Sequence, residues 1–576
     1  HDPAAPRLRH AFSAPCGLFV AYRQGEVRAV LDAAHAAARQ GAWCVGYVCY
    51  EAAPAFDAAL QVHTAPPGKQ SPLAWFAAFD QARPWPEPAP ATAAEVDWAA
   101  ALERPVFDAA LARIQQAIAA GELYQVNYTA QRVGSLRGGA TALFAALRRA
   151  QPGGYAAYID TGDTDDRQQV LSVSPELFFD WQADGIILAR PMKGTAPRGA
   201  TAQQDAERAA ALCASPKERA ENVMIVDLLR NDLSRIAQPH SVRVPALFRA
   251  EALPTVWQMT SDVQARTRPG TRLSDVFAAL FPCGSVTGAP KVRAMAMIRA
   301  LEPGPRGVYC GAVGVLRPGG AATFNVPIRT LALQGSQVSY GIGSGITADA
   351  QAGAEWDEWR YKSAFVERAS APFDILETLA LENGALRHRD EHLARMAEAA
   401  TYFGYLWQAQ RVARCLDALA QSHPQGLWRV RLLLGATGAP RAEAFAQQAM
   451  PQPVRLRLAA RPLEAAHGEF VRYKTTRRAH YDAFTPTQPG LFDTVLWNAE
   501  GEITECTRGN VAMLLDGRWV TPPLACGLLS GVGRALALRQ GRLQEAVVRV
   551  QDAPSVQGWA FVNSLRGWLA AELVQG

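Results

Sequence analysis

A chain of 576 residues with 58 Lys+Arg, 53 Asp+Glu and a formal net charge of +5 exceeds what one hydrophobic core usually supports, which predicts two large domains or three smaller ones. With 49% hydrophobic and 19% charged residues, the composition is that of an ordinary globular protein. No uncharged apolar run reaches eighteen residues, and Lys and Arg are dispersed among Asp and Glu, so neither a membrane span nor a nucleic-acid footprint is indicated.

The nine cysteines, at 16, 44, 49, 213, 283, 310, 415, 506 and 526, form no CxxC pair and no metal-ligand spacing, which suits a reducing cytoplasm. The chain begins at His1 without Met and without a charged-then-apolar signal pattern, and its start is read as a processing edge.

Residues 1 to about 80 mix Gly and Pro breaks with apolar stretches such as Trp43–Tyr50, predicting strands. The Pro-rich segment Arg83–Pro90 reads as a linker or a surface strap. Helical spacing runs from Val106 to Gly121, with Gly121 as C-cap, and the alternation in Glu122–Tyr128 predicts a strand entering the core. A strand at Gly185–Ala189 is followed by Arg190-Pro191-Met192-Lys193-Gly194-Thr195, which delivers one amine to the rim of a sheet. Such a lysine is a nucleophile if burial or nearby cations make its neutral form accessible near neutral pH; standing alone, it reads as a Lys in a surface turn.

Ser215-Pro216-Lys217-Glu218 carries helix-start signals: Ser as N-cap, Pro at the first helical position and Glu three residues on. That helix sets Glu218 and Glu221 on one face and continues through Asp232. Gly341–Ile346 reads as a glycine-rich turn, followed by a second helix bearing Glu355 and Glu358. Two such pairs could clamp a hard divalent cation, although alone Glu218 is a capping-box residue and Glu355 and Glu358 a solvated face.

Ser370-Ala371-Pro372 breaks that helix and a strand begins at Phe373, so the domains are set at 1–370, comprising 1–95 and a core of 96–370, and 371–576. In the second, a helix is predicted at Asp390–Phe403 and another after the glycine turn Gly531-Val532-Gly533. Tyr473–Tyr481 follows the strand-like Phe470-Val471-Arg472 and places Lys474 among arginines, which depress a lysine pKa and suit Schiff-base chemistry; alone it reads as a basic surface strand.

Several motifs occur in a fixed order: Gln125-Val126-Asn127, Ser174-Pro175-Glu176, the Lys193 peptide, Lys217 through Asp232, Gly284 through Lys291, Tyr309-Cys310-Gly311, Ile328-Arg329-Thr330 and Gly343-Ser344-Gly345-Ile346. Together they resemble the chorismate-utilising enzymes, the family of anthranilate, isochorismate and aminodeoxychorismate synthases, over roughly residues 100 to 365. The resemblance implies an α/β (α+β) fold with a β-sandwich flanked by helices. It implies Mg²⁺ held by Glu218, Glu221, Glu355 and Glu358 and bound to the ring carboxylate of chorismate. Arg329, Tyr309, Thr287, Gly288 and the backbone at Gly345 would bind substrate, with Lys362 nearby, and Thr195 would be a catalytic residue with Lys193.

Anthranilate synthases carry Ala where Lys193 stands, whereas aminodeoxychorismate synthases typically carry Lys. In the latter the amine adds to C2 of chorismate as the C4 hydroxyl leaves, and ammonia then attacks C4 and expels the lysine. Gln125 stands where isochorismate-forming relatives use a water-activating Lys, which disfavours hydroxyl transfer. Relatives usually show His in the segment matching Thr255–Met259; Gln258 stands there and cannot shuttle a proton near neutral pH. No nucleophile-elbow Cys with partnered His and Glu occurs, so ammonia is expected from a separate glutamine amidotransferase subunit.

From about 373 to 576, Lys474, Gly501–Asn510, Thr521-Pro522-Pro523 and Gly527–Arg534 resemble the fold-type IV pyridoxal phosphate enzymes, which include branched-chain and D-amino acid aminotransferases and aminodeoxychorismate lyase. The resemblance implies a two-subdomain fold in which Lys474 joins the cofactor, Glu505 pairs with its ring nitrogen, and Arg395 with the backbone of Val532 and Gly533 binds its phosphate. Thr378 is a candidate to assist release of enolpyruvate, or an ordinary strand Thr. A homodimer through this domain is left open. The fusion predicts amination of chorismate followed by elimination of pyruvate, giving 4-aminobenzoate; a synthase of the anthranilate type fused to an aminotransferase, and a non-catalytic amidotransferase-docking subunit, are the alternatives.

Overall fold

The computed structural model describes residues 8–64, 71–86, 94–99, 102–152, 154–162, 167–199, 202–252, 256–448 and 450–574. The chain start at 1–7, residues 87–90 of the Pro-rich segment and Thr255 lie outside them. The chain divides into two compact units, His1–Pro372 and Phe373–Gly576.

The first unit is built on two sheets, of ten and seven strands among the described residues, in which all neighbouring strands are antiparallel. Strands Trp43–Val48 and Ala74–Phe79 are apolar on both faces, and their period of two divides them cleanly. Cys44, Val48, Ala74, Phe76 and Ala78 face the helices Gln24–Arg39, Pro216–Ser234 and Leu273–Leu280. Tyr47, Trp75, Ala77 and Phe79 face the other way and meet Ile159 and Val170 of the seven-stranded sheet, where Tyr47 Oη donates to Gln168 Oε1 at 2.9 Å. The smaller sheet buries its remaining face under the helices Arg104–Ala119, Ala140–Ala150, Lys291–Leu301 and Ala352–Ser370. The result is a β-sandwich with helices on both outer faces.

Three local expectations differ from the structure. Gln24–Arg39 is a helix; its buried residues Val27, Leu31, Ala34 and Ala38 follow helical spacing, but alanine-rich sequence gives that face little contrast. Gly341–Ile346 is no turn. It is the end of the ten-residue strand Gln337–Ile346, in unbroken register with Gln125–Arg137 from Gln337↔Ser135 to Ile346↔Val126. Its glycines serve close approach: a Cβ on Gly341 would lie 2.2 Å from the Tyr309 ring, and one on Gly343 2.4 Å from the Tyr128 carbonyl oxygen. Lys193 likewise sits within a strand, Met192–Pro197, because Pro191 ends the preceding strand Ile186–Arg190 and the chain then pairs anew with Val256–Arg266.

In the second unit a four-stranded sheet carries Ile375–Glu382 and Leu427–Leu434 against the helices Arg389–Phe403 and Ala409–Ser422, the latter not predicted. An eight-stranded sheet holds Asp493–Trp497, Ile503–Cys506, Gly558–Asn563 and Gly567–Val574, and the helix Val532–Arg539 packs on it. The strand-like Phe470–Arg472 belongs to the short helix Glu469–Arg472.

Phe277 is fully buried and its ring meets those of Phe56, Phe178, Phe179, Phe281 and Phe324 at 5.1–6.1 Å. Phe277→Ala is expected to destabilise the first unit by about 3–5 kcal/mol. Calorimetry would show that unit's transition moving down in temperature while that of Phe373–Gly576 stays put.

Candidate active sites

In the first unit, Lys193 reaches across from the edge of the larger sheet to the smaller one. Thr195 pairs with Gln258 in the adjoining strand, its exposed Oγ1 3.3 Å from Gln258 Oε1. Gly194, at φ +93°, lets the helix Pro216–Ser234 close on the strand, since a Cβ there would lie 2.8 Å from Glu218 Oε2. Opposite, a Cβ on Gly345 would come 2.3 Å from Gln125 Nε2 and 2.8 Å from Lys193 Nζ. The Lys193 amine and the Gln125 amide thus converge over a bare stretch of backbone. Gln125 is fully buried, and neither Oε1 nor Nε2 finds a hydrogen-bond partner among the described residues, the mark of an amide arranged for something other than its own fold.

Glu176 completes the cluster. Burial pushes its carboxyl up to about 7, while Ser285 Oγ, donating to Oε1 at 2.7 Å, and the charges of Lys193 and Lys362 favour its ionised form. The sequence displayed it within Ser174-Pro175-Glu176 but gave it no role; only the fold brings it beside an amine seventeen positions along the chain.

The other expected residues are placed as follows. Lys362 Nζ donates to the Gly343 carbonyl at 2.9 Å and lies 2.7 Å from Glu358 Oε1. Thr287 is buried with Oγ1 donating to the Cys283 carbonyl at 3.1 Å, and Gly288, at φ +139°, has no room for a Cβ against the Gln125 carbonyl oxygen at 2.1 Å. Tyr309 packs under Gly341. Arg329 is engaged by Gln151 Oε1 and lies over the Phe365 ring at 5.6 Å.

The four glutamates sit on the two expected helices. Partial burial and the charges of Glu221 and Glu358 raise the Glu218 carboxyl, and burial raises Glu355 although Ser344 Oγ donates to it at 2.6 Å. Their hard oxygen donors fit a Mg²⁺-type cation in chemistry. In arrangement they are divided: Lys362 holds Glu358, Ser344 holds Glu355, and among the described residues no three acidic, His or Cys side chains converge closely enough to hold a metal ion.

In the second unit Lys474 is half-buried, and desolvation together with the charges of Arg478 and Arg395 lowers its amine to about 8. Glu505, 2% exposed, is pushed by burial up to about 7 although Tyr481 Oη donates to it at 2.6 Å and the Leu529 N–H at 3.2 Å. Arg395 donates twice to Glu377, Nε to Oε1 at 2.8 Å and Nη2 to Oε2 at 2.6 Å, and its Nη1 donates to the Ser530 carbonyl at 2.8 Å. Against burial, Arg395 and His392, with Nδ1 2.6 Å from Oε2, hold Glu377 down at about 2.

Ser530 leads into the helix Val532–Arg539, whose Gly533 must stay bare because a Cβ would lie 2.7 Å from the Asn563 carbonyl carbon. A half-buried amine of lowered pKa, a buried carboxyl of raised pKa and an arginine beside a helix N-terminus fit a group that is at once a carbonyl, a protonated ring nitrogen and a phosphate. Glu377 was not singled out from sequence and Tyr481 was given no role there, whereas Arg478 is one of the arginines expected to depress the Lys474 amine. Thr378 points to the opposite face of its strand from Glu377, and its hydroxyl has no hydrogen bond among the described residues.

A family model described as chorismate binding enzyme matches residues 20–368. The chain belongs to the chorismate binding enzyme family. Residues 374–574 match a second model, amino-transferase class IV. This chorismate binding enzyme is 43% identical over 250 residues to aminodeoxychorismate synthase of Streptomyces griseus, covering 43% of this chain and 34% of the relative. It is 42% identical over 261 residues to aminodeoxychorismate synthase component 1 of Klebsiella aerogenes, covering 45% and 57%. The chain thus spans about a third of one relative and little more than half of the other. Among solved structures, anthranilate synthase component I from Streptococcus pneumoniae TIGR4 shares the fold with a TM-score of 0.54 at 24% identity, over 63% of this chain and 93% of that one. Among the described residues no helix is long and apolar enough to cross a membrane.

The lowered amine makes a direct prediction: in protein carrying ¹³C-methylated lysines, one resonance, absent from Lys474→Ala, titrates with a midpoint near 8 rather than at the ordinary 10.5. Gly345→Ala is expected to cost about a hundredfold or more in turnover at the first site, because a misplacement of that size at a reacting amine is costly. Steady-state kinetics would record the loss, and circular dichroism would show little change in fold, since the displaced atoms are the far ends of flexible side chains.

Proposed function

We propose that the chain makes 4-aminobenzoate from chorismate in two stages, amination at C4 by the first unit and elimination of pyruvate by the second. The observation that carries the reading is the Lys193 amine converging with an unpartnered Gln125 amide over Gly345, with the Glu176 carboxyl in electrostatic reach. An amine so held suits addition to C2 of the ring as the double bonds shift and the C4 hydroxyl departs. Glu176, near half-protonation at neutral pH, is suited to give that hydroxyl the proton it leaves with as water, the part Gln258 cannot play. Ammonia then forms the new bond at C4, the electrons shift back, and Lys193 is released. Gln125, with no titratable group, holds a neutral ligand rather than activating water, which favours ammonia as the incoming nucleophile.

Glu218, Glu221, Glu355 and Glu358 are proposed to hold Mg²⁺ when the anionic substrate is present. Bound there, the cation would draw charge from the ring through its carboxylate. The ammonia source is proposed to be a glutamine amidotransferase partner, as the name component 1 of the Klebsiella relative suggests. Nine free cysteines suit a reducing, cytoplasmic setting.

In the second unit Lys474, Glu505, Arg395 and the N–H groups of Val532 and Gly533 are proposed to hold pyridoxal phosphate. When bound it supplies an electron sink for charge developing at the substrate's C4. Lys474, neutral in a good fraction of molecules near pH 8, is suited to take the C4 proton. Glu505 keeps a proton on the ring nitrogen. Loss of pyruvate then leaves an aromatic ring, so the second unit has mainly to position the substrate and move one proton.

Given chorismate, an ammonium salt, Mg²⁺ and pyridoxal phosphate, the chain is expected to yield 4-aminobenzoate and pyruvate in equal amounts; 2-aminobenzoate as product, read by chromatography, contradicts the proposal. Lys193→Ala should abolish amination, whereas Lys474→Ala should let the aminated ring accumulate with no pyruvate. Glu176→Gln should slow amination by about 10²–10⁴-fold. If Glu176 is the donor, amination falls as pH rises through about 7. Ser285→Ala removes a hydrogen bond that favours the carboxylate, raises the pKa further and should move that limb to higher pH. A limb that stays in place counts against Glu176.

A further inference from the structure

Three buried side chains of the first unit are joined end to end by hydrogen bonds. Ser285 Oγ lies 2.7 Å from Glu176 Oε1, and Cys283 Sγ lies 3.2 Å from Ser285 Oγ. A serine hydroxyl has one hydrogen to give. Spent on the Glu176 carboxylate, it leaves the Ser285 oxygen as an acceptor, so the Cys283 thiol is the donor of the second bond. The chain therefore runs from thiol to hydroxyl to carboxylate, and each link polarises the next.

Both ends of the chain are pinned by backbone. The Glu176 N–H donates to Ser174 Oγ at 3.1 Å, and the Glu176 carbonyl accepts from the Val326 N–H at 3.1 Å. Cys283 leads into the turn Gly284–Val286, and its carbonyl accepts from the Val286 N–H at 3.2 Å and from Thr287 Oγ1 at 3.1 Å. Leu228 of the helix Pro216–Ser234 closes over that turn, since a Cβ on Gly284 would lie 2.0 Å from Leu228 Cδ2. What changes in such a chain is the strength of its links. Protonation of Glu176 replaces a charged acceptor by a neutral one, which weakens the bond from Ser285 and, with it, the bond from Cys283. The other groups facing Glu176 are Lys193 on the strand Met192–Pro197, the Met192 N–H, Lys362 on the helix Ala352–Ser370 and the Cys310 thiol. Lys291, held by Asp232 at 3.1 Å, faces Cys283.

We infer that Cys283 is a positioning residue of the amination site: its thiol donates to Ser285, turns that hydroxyl onto Glu176, and favours the carboxylate over the carboxylic acid. The inference deepens the reading of the first unit given above and rests on it for the role of Glu176 as proton donor. It gives a buried thiol, which neither touches substrate nor reacts, a part in setting the pH at which amination falls.

The test reads the S–H stretching band of Cys283 in the full chain by infrared spectroscopy, each protein being compared with the same protein carrying Cys283→Ser. In the wild type the band is expected at the low frequency of a donating thiol when Glu176 is ionised, and it should move toward the free-thiol position as pH falls through about 7. In Ser285→Ala it should sit at the free-thiol position throughout, and in Glu176→Gln it should stop responding to pH. The second readout is the rate of amination against pH, with chorismate, Mg²⁺ and a constant concentration of free ammonia. In Cys283→Ala the limb on which amination falls with rising pH should move upward by a few tenths of a pH unit, in the direction of Ser285→Ala but by less, because losing a donor leaves the Glu176 proton held more tightly. Cys283→Ser, whose hydroxyl donates in place of the thiol, should keep the wild-type limb. A free-thiol band in the wild type, a wild-type band that ignores pH, or a limb in Cys283→Ala that stays in place or moves down would each overturn the inference. If the band follows pH in the wild type and is fixed in Glu176→Gln, while amination does not fall over the same range, the chain stands and the reading of Glu176 as donor falls.

Discussion

The first unit depends on one steric allowance: the bare backbone of Gly345, over which side chains from two sheets meet. Lys193 belongs to the larger sheet and Gln125 to the smaller, and any side chain at 345 would occupy the space their ends fill. The sandwich around them exists to hold that approach. Its strands alternate between a face under helices and a face against the opposing sheet, so the sheets are fixed to each other by the packing of Tyr47 and Trp75 on Ile159 and Val170. Gly194, Gly288 and Gly341 repeat the same economy around the site, each placed where a Cβ would strike a neighbour.

The second unit uses desolvation where the first uses proximity. Glu505 and Glu377 are removed from water and Lys474 and Arg395 partly so, and what surrounds them moves the amine down, the Glu505 carboxyl up, and Glu377 down because Arg395 and His392 hold it. Charges of both signs in one buried pocket give a site able to keep a proton on one atom and take it from another at the same pH, which proton-transfer chemistry requires.

Much of this was legible in the sequence. The Ser215 cap and the ordered motifs marked one helix and the family, because capping chemistry is local and leaves local marks. What was not legible came from contacts between distant segments. Gly341–Ile346 carries the composition of a turn, yet lies in a strand because glycine there answers the Tyr309 ring and the Tyr128 carbonyl rather than a need for positive φ. Glu176 was visible as a letter in a motif, but its raised carboxyl arises from burial beside residues far along the chain.

The most direct measurement is the mass of the protein after exposure to chorismate with ammonia withheld, followed by peptide mapping. The account predicts a covalent adduct equal to chorismate less water on the peptide bearing Lys193, lost again when ammonium is added. Unmodified protein in that experiment, from a preparation that aminates chorismate at its usual rate once ammonium is supplied, would contradict it.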